Sequence, residues 1–303
     1  MRRALQLAGN GEGRVSPNPM VGAVIVHDGK IIGEGYHACF GAPHAEVNAI
    51  NSVRPEDRGY LKDSTIYVTL EPCAHHGKTP PCADLIVKTG IPRVVIGSPD
   101  PNPLVSGKGV KILEDAGVKV TQNILRDECD YLNRRFLSAQ KNDIPYITLK
   151  WAQSADGFIA GFTETGSPCP VKFSTPVSSV WVHRERAAND AIMIGANTER
   201  IDNPQLNVRY WAGKDPLKIV AQEGRPMADI LKQLRKDGIT SLLVEGGAKL
   251  LNWFITNGLY DEIRIEVAPF SLKKGVPSPL LPQNLTLQEH FSCGANQISV
   301  YRR

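Results

Sequence analysis

Apolar and polar positions divide the chain into short alternating blocks. Four brief runs rich in β-branched residues, at 21–27, 30–36, 65–70 and 93–97, read as strands. Asp28–Gly29 between the first two is a hairpin signal, because two-residue hairpin turns need positive φ. Helical patterns begin near Arg2, His44, Pro81, Gly107 and Arg126. Pro81 suits a first helical turn, where its missing N–H costs nothing, and Gly90 reads as the stop of that helix. A hairpin followed by strand–helix alternation predicts an α/β fold with a mixed sheet.

Asn142–Asp143–Ile144–Pro145 follows a helical stretch and precedes a new strand, so it is read as a domain boundary between 1–142 and 143–303. The second block alternates again. Strands are expected at 146–151, 191–195, 217–220, 241–245 and 262–268, and helices at 176–189, 227–236 and 248–257. No internal repeat or low-complexity linker interrupts either block.

A length of 303 residues suits two domains, and 42% apolar residues suffice for ordinary cores. The net charge of +4 fits an anionic small substrate such as a phosphate ester. No Lys/Arg block exceeds two residues, which argues against nucleic acid. No run approaches the ~20 apolar residues of a membrane span, and the first residues lack the apolar stretch of a signal peptide. A cytoplasmic location is therefore expected. There, clustered members of the six cysteines point to metal or catalysis rather than disulfides.

His44–Ala45–Glu46, Pro72–Cys73 and Cys82 form the sharpest constellation. A catalytic zinc takes three protein ligands and keeps one position open, which one imidazole and two thiolates satisfy. A carboxylate must still move a proton, and Glu46 lies two residues from His44. His44 and Glu46 are expected to open one helix and Cys82 another, where the positive helix end favours a thiolate. The pattern departs from the His-x-Glu, Pro-Cys-x-x-Cys signature of zinc deaminases, since AHHGKTPP separates the two cysteines. A structural zinc with His75 or His76 as fourth ligand, or no metal at all, stays open on these residues alone.

SPNPMVGAVIV (16–26), GEGYH (33–37), PHAEVNAI (43–50), TLEPCAHHGKTPPCAD (69–84) and DPNPLVSGKG (100–109) closely resemble the deaminase half of the bifunctional RibD family of riboflavin biosynthesis. The likeness covers nearly all of 1–140. It implies a cytidine-deaminase-like three-layer α/β/α domain. It also implies hydrolytic deamination of 2,5-diamino-6-(5-phosphoribosylamino)pyrimidin-4(3H)-one. By position, the resemblance makes His44, Cys73 and Cys82 the zinc ligands and Glu46 the proton shuttle. It places Asn18, His37, Lys78, Asp100 and Asn102 around the substrate. Asn18 lies between two prolines, and its amide can both donate to and accept from a pyrimidine edge.

TLKWAQSADGFIA (148–160), NDAIMIGANTERIDNPQLNVR (189–209), SLLVEGGAKLLNWFI (241–255) and DEIRIEVAPFSL (261–272) are similar to the reductase half of that family. The resemblance implies a dihydrofolate-reductase-like α/β domain in which NADPH reduces the ribosyl side chain to ribityl. Arg186, Leu206, Arg209 and Glu245 match substrate contacts, and Ala152, Thr198, Asp202 and Gly247 match the cofactor site or its edge. On physical grounds, Gly246–Gly247 at a strand-to-helix turn admits a ligand close to the backbone. Arg186 and Arg209 offer forked donors for a phosphate.

Two segments depart from the family pattern: GSPCPVKFST (166–175), and AQEGRP (221–226), where the family has tens more residues. They leave an alternative, a deaminase whose second domain serves only dimerisation or substrate binding. The resemblance also implies a homodimer or higher oligomer. A nucleic-acid deaminase would show an aromatic or basic channel near the zinc, and a zinc-stabilised binding module would not need Glu46.

Overall fold

The computed structural model describes residues 1–74, 80–101, 106–221 and 224–303. They form two compact units, Met1–Asn142 and Asp143–Arg303.

In the first unit, α1 (Arg2–Gly9) precedes the hairpin of β1 (Gly22–His27) and β2 (Lys30–Tyr36). Asp28 and Gly29 at its turn have φ of 46° and 74°, as the sequence leads one to expect. Then come α2 (Ala45–Asn51), a 3-10 helix (Pro55–Asp63), β3 (Thr65–Leu70), α3 (Cys82–Thr89) and β4 (Arg93–Ser98). The unit ends with α4 (Lys108–Asp115), β5 (Lys119–Thr121), α5 (Arg126–Leu132) and α6 (Arg134–Asn142). The sheet order is β2-β1-β3-β4-β5, antiparallel through the first three strands and parallel from β3 to β5.

Alternation along β1 assigns the layers. Ala23 and Ile25 join the core under α2, α3 and α4, with Ala45, Ala49, Ile86 and Leu113. Val24 points to the other face, against Ala4 and Leu7 of α1. The result is helices on both faces of one sheet, the expected three-layer arrangement. One close approach sets the position of α2. A Cβ on Gly35 would lie 2.3 Å from Ala49 N and 2.6 Å from Ala45 O. No side chain fits there, so the helix that starts after His44 lies directly on the β2 backbone.

The second unit is built on β6 (Tyr146–Gln153), whose first six positions are all buried, as a strand covered on both faces requires. It continues with β7 (Phe158–Phe162), β8 (Pro168–Cys169), α7 (Pro176–Ala187), β9 (Ala191–Gly195), α8 (Ala196–Asp202) and β10 (Leu217–Ala221). Next are α9 (Met227–Lys236), β11 (Ser241–Glu245), α10 (Ala248–Thr256) and β12 (Glu262–Val267). The short β13 (Val276–Pro277) and the hairpin of β14 (Thr286–Cys293) and β15 (Asn296–Arg302) complete it. The main sheet runs β10-β9-β11-β6-β12-β15-β14, parallel from β10 to β12 and antiparallel after that. Met193, Leu242 and Val244 pack with Leu231, Leu251 and Phe254 on one face. Ile192, Ile194 and Leu243 pack with Leu206 on the other. A small sheet, β13-β7-β8, stands apart.

Sequence periodicity misses the 3-10 helix and the short strands β5, β7, β8 and β13, and three further differences have a clear cause. Pro81 is the cap of α3 rather than its first residue, so Cys82 begins the helix. No helix is expected at α8 because ANTERID buries no residue and so has no apolar stripe. The β14–β15 hairpin is likewise absent from the sequence expectations, because β14 is a largely exposed edge strand with little apolar alternation.

Gly35→Ala is expected to destabilise the protein by about 1–3 kcal/mol or more, since the new methyl meets backbone that cannot rotate away. A denaturant titration reads it, and an unchanged midpoint would contradict the packing of α2 on β2.

Candidate active site

Two chain crossings bring the conspicuous residues of the first unit together. His44 caps α2 in extended conformation (φ −69°, ψ 166°), and its carbonyl accepts the Asn48 N–H at 3.1 Å. Asn48 Nδ2 donates to Tyr36 O at 2.8 Å, tying α2 to the end of β2. Cys73 leaves the carboxyl end of β3, and its carbonyl accepts the Ala83 N–H at the start of α3. Cys82 is the first residue of α3.

The ligating atoms of His44, Cys73 and Cys82 all lie within 4.8 Å of one another. His44 Nδ1 is 3.6 Å from Cys73 Sγ and 3.4 Å from Cys82 Sγ. A tetrahedral zinc bonded to sulfur at ~2.3 Å and nitrogen at ~2.0 Å separates those donors by about 3.6 Å. Donor type and spacing therefore both fit zinc. Among the described residues the group comprises three ligands, the number that a catalytic zinc takes. His75 and His76 lie outside the described residues, as do Lys78 and Asn102.

The charge distribution corrects one expectation. The start of α3 serves Cys73, not the helix's own Cys82: the Cys82 N–H donates to Cys73 Sγ at 3.3 Å. Donation from the Cys82 thiol, then from His44 and that N–H, holds the Cys73 thiol far below its ordinary range despite its burial. The Cys82 thiol is pushed up by its bond to Cys73, by burial and by Glu46. Glu46, on the first turn of α2, is 3% exposed. Burial first, and the nearby Cys73 sulfur second, push its carboxyl up to about 7.

His37 follows β2 and is buried beside His44, with the two rings edge to face at 5.5 Å. Its Nδ1 lies 3.1 Å from Pro43 O, which can only accept, so Nδ1 carries the proton. Nε2 is then the acceptor for Asn18 Nδ2 at 3.1 Å. Burial lowers the His37 pKa, which keeps this neutral tautomer in place. Asp100 is buried just beyond β4, the strand beside β3. His37 thus borders the sulfur–nitrogen cluster and holds Asn18, and Asp100 follows the strand beside the one that leads to Cys73.

In the second unit the expected residues gather at the carboxyl ends of parallel strands, where ligands of open α/β sheets bind. Glu245 ends β11 and pairs with Arg186 of α7 at 2.7 Å. Burial alone would raise the Glu245 carboxyl, but the charges of Arg186 and Lys150 outweigh it and hold it below its ordinary range. Arg186 also donates to Asn207 O at 3.3 Å. Arg209 bonds Asn207 Oδ1 at 2.6 Å as well as Gln205. The Leu206 side chain is built into the Ile192–Ile194–Leu243 cluster, and its φ of 53° turns the backbone between Pro204 and Asn207.

Ala152 lies in the final turn-out of β6, opposite Glu266 of β12. Thr198 of α8 faces the Gly246–Gly247 turn, and a Cβ on Gly247 would come 3.0 Å from Thr198 Oγ1. That glycine (φ 71°) caps α10, whose first N–H groups have no helical partner. A backbone cradle of this kind at a helix start fits a cofactor phosphate. Asp202 is exposed at the end of α8. Two residues that the sequence reading passes over join this cleft. Lys150 is buried in β6, with its Nζ 4.0 Å from Glu266. His183 Nδ1 accepts the Arg209 N–H at 2.8 Å. A lysine within an otherwise apolar strand was a signal for the first. Nothing local marks the second, because its partner is 26 residues away.

Comparison with known proteins agrees with both halves. The family described as the cytidine and deoxycytidylate deaminase zinc-binding region matches residues 1–98. The RibD C-terminal domain matches 145–225 and 226–296, its break falling within the short 221–226 connection. The riboflavin biosynthesis protein RibD of Aquifex aeolicus is 37% identical over 91% of this chain and 88% of its own length. That of Escherichia coli is 34% identical over 89% of this chain and 86% of its own. A Thermotoga maritima crystal structure, titled diaminohydroxyphosphoribosylaminopyrimidine deaminase/5-amino-6-(5-phosphoribosylamino)uracil reductase, has a TM-score of 0.90. It is 34% identical and covers 100% of this chain and 97% of its own. The Acinetobacter baumannii RibD structure (form 1) has a TM-score of 0.87 at 32% identity, covering 99% of this chain and 97% of its own. With its zinc-ligand cluster in the first unit and its glycine cradle in the second, this chain belongs to the RibD family of riboflavin biosynthesis proteins.

Proposed function

We propose that residues 1–142 deaminate 2,5-diamino-6-(5-phosphoribosylamino)pyrimidin-4(3H)-one. Residues 143–303 then reduce the ribosyl side chain of the product to ribityl with NADPH. The observation that carries the first step is a three-donor cluster with a buried carboxyl poised near neutrality beside it.

His44, Cys73 and Cys82 hold the zinc ion. Bound there, zinc supplies Lewis acidity that brings the pKa of a coordinated water down to about 7. Glu46 accepts a proton from the attacking water on a carboxylate oxygen and delivers it to the departing amine. Burial raises this carboxyl above the ordinary glutamate range, which suits a group that takes up a proton and gives it back. Asn18 is oriented by His37, whose Nε2 accepts a hydrogen bond from its Nδ2 and leaves Oδ1 to accept from the pyrimidine edge. Lys78, Asp100 and Asn102 complete the substrate set by position.

In the second unit Gly247 and the start of α10 would hold the phosphate of NADPH, with Ala152, Thr198 and Asp202 as the other expected cofactor contacts; bound there, it would supply the hydride. Arg209 presents a fork of donors to the substrate phosphate, and Glu245 accepts from a ribose hydroxyl while Arg186 and Lys150 keep it ionised. Leu206 contributes through the backbone that its buried side chain anchors. A deaminase with an inert second unit is not favoured, since the reductase family matches across that unit.

No helix of the described residues is long and apolar enough to cross a membrane. Free cysteines throughout suit a reducing cytoplasm, and family likeness suggests a homodimer as the working form.

Three measurements test the reading. Metal analysis should find about one zinc per chain, as three-ligand catalytic sites hold. It should fall to near zero in His44→Ala, Cys73→Ser and Cys82→Ser, while Cys129→Ser, buried elsewhere, retains it. Glu46→Gln should keep zinc and lose deamination by a factor of about 10²–10⁴ or more. Full activity there would remove Glu46 from the chemistry. Given the deaminated substrate, the protein should oxidise NADPH and form the ribityl product by mass spectrometry. No oxidation would restore the deaminase-only alternative.

A further inference from the structure

We propose that Glu71 is a positioning residue of the deaminase site, locking the Asp100 loop to the Cys73 loop through four backbone N–H groups. The proposal rests on the deaminase reading above and adds a residue outside the metal and substrate sets named there.

Glu71 follows β3 directly and is 4% exposed. Its Oε1 accepts the N–H groups of Gly109 (3.1 Å) and Val110 (3.3 Å). Its Oε2 accepts those of Gly107 (3.1 Å) and Asp100 (3.4 Å). A buried carboxylate needs such charge-assisted partners, and these four, among the described residues, are main chain.

Three of the four bonds cap α4. Its own cap residue, Gly107, has no side chain to serve that end and adopts φ of 73°. Glu71 supplies the missing acceptor from 36 residues away. The bond to Asp100 does something a helix cap does not require: it holds the other end of the connection from β4 to α4. Both ends of that connection are therefore pinned to one side chain.

Glu71 lies two positions before Cys73, and its own N–H donates to Ser98 O at 2.9 Å, two positions before Asp100. The zinc-ligand loop and the Asp100 loop thus leave neighbouring parallel strands and are joined again just beyond them by this carboxylate. Gly109 completes the fit. A Cβ there would come 2.0 Å from Pro72 O, so α4 presses directly on the peptide that leads to Cys73. Charge and contact together set the gap between a metal ligand and a substrate contact.

Glu71→Gln tests this in the full-length protein. The substitution places an NH2 against two N–H groups, so one side of the clamp must open. Zinc content and NADPH-dependent reduction of the deaminated substrate should match the parent. KM for deamination should rise about tenfold or more, with a smaller change in kcat, from losing hydrogen bonds to a charged group. Asp100→Asn combined with Glu71→Gln should deaminate no worse than Asp100→Asn alone, because the second change acts through the first.

An unchanged KM, a fully additive double variant, or loss of zinc with reduced thermal stability would each overturn the proposal. Glu71→Asp serves if Glu71→Gln does not fold, and failure of both would make Glu71 a folding determinant instead. Hydrogen exchange separates this idea from the functional reading. If the parent does not deaminate at all, that reading fails. The amides of Asp100, Gly107, Gly109 and Val110 should still exchange about tenfold or more faster in Glu71→Gln, since their protection reports the bonds themselves.

Discussion

The first unit depends on holding one imidazole nitrogen and two sulfurs within bonding reach of a single point. Like-charged thiolates repel and desolvated sulfur anions are costly, so the arrangement persists only where the scaffold leaves the donors no room to separate. Each donor is accordingly fixed at an element end rather than in a free loop. His44 caps a helix seated on glycine backbone, Cys82 opens the next helix, and Cys73 is bonded through backbone to that same helix.

The same burial that holds the donors sets the chemistry beside them. A carboxyl 3% exposed and next to the Cys73 sulfur cannot ionise as an ordinary glutamate does, so Glu46 is lifted towards neutrality. His37, equally buried but facing a carbonyl and an amide, is lowered and stays neutral. Two titratable groups in one pocket are thereby moved in opposite directions relative to charge: the acid gains a proton and the imidazole loses one. Burial favours the uncharged form of each.

The second unit solves a different problem with its charges. Glu245 is as buried as Glu46, but Arg186 and Lys150 face it, and it stays ionised. A carboxylate paired with cations is held as a fixed acceptor, whereas one buried without a cation beside it is shifted towards its protonated form. Both units nevertheless place their residues where parallel strands end and helices begin, because glycine turns and unpaired helix N–H groups occur there together.

Much of this was legible in the chain itself. Strand alternation at 65–70 and the Asp28–Gly29 turn are local signals, and β3 and the hairpin occur there. The family also follows from motifs in the chain, and with it the candidate metal donors His44, Cys73 and Cys82 that the fold brings together. What tertiary structure alone decided are relations across long separations: that the α3 N–H serves Cys73, that His37 orients Asn18, that Glu71 clamps the start of α4, and that His183 receives the Arg209 N–H. Spacing along a chain constrains neighbours within a turn or a strand. It is silent about which atoms meet after folding has brought residues 9 to 39 positions apart into contact.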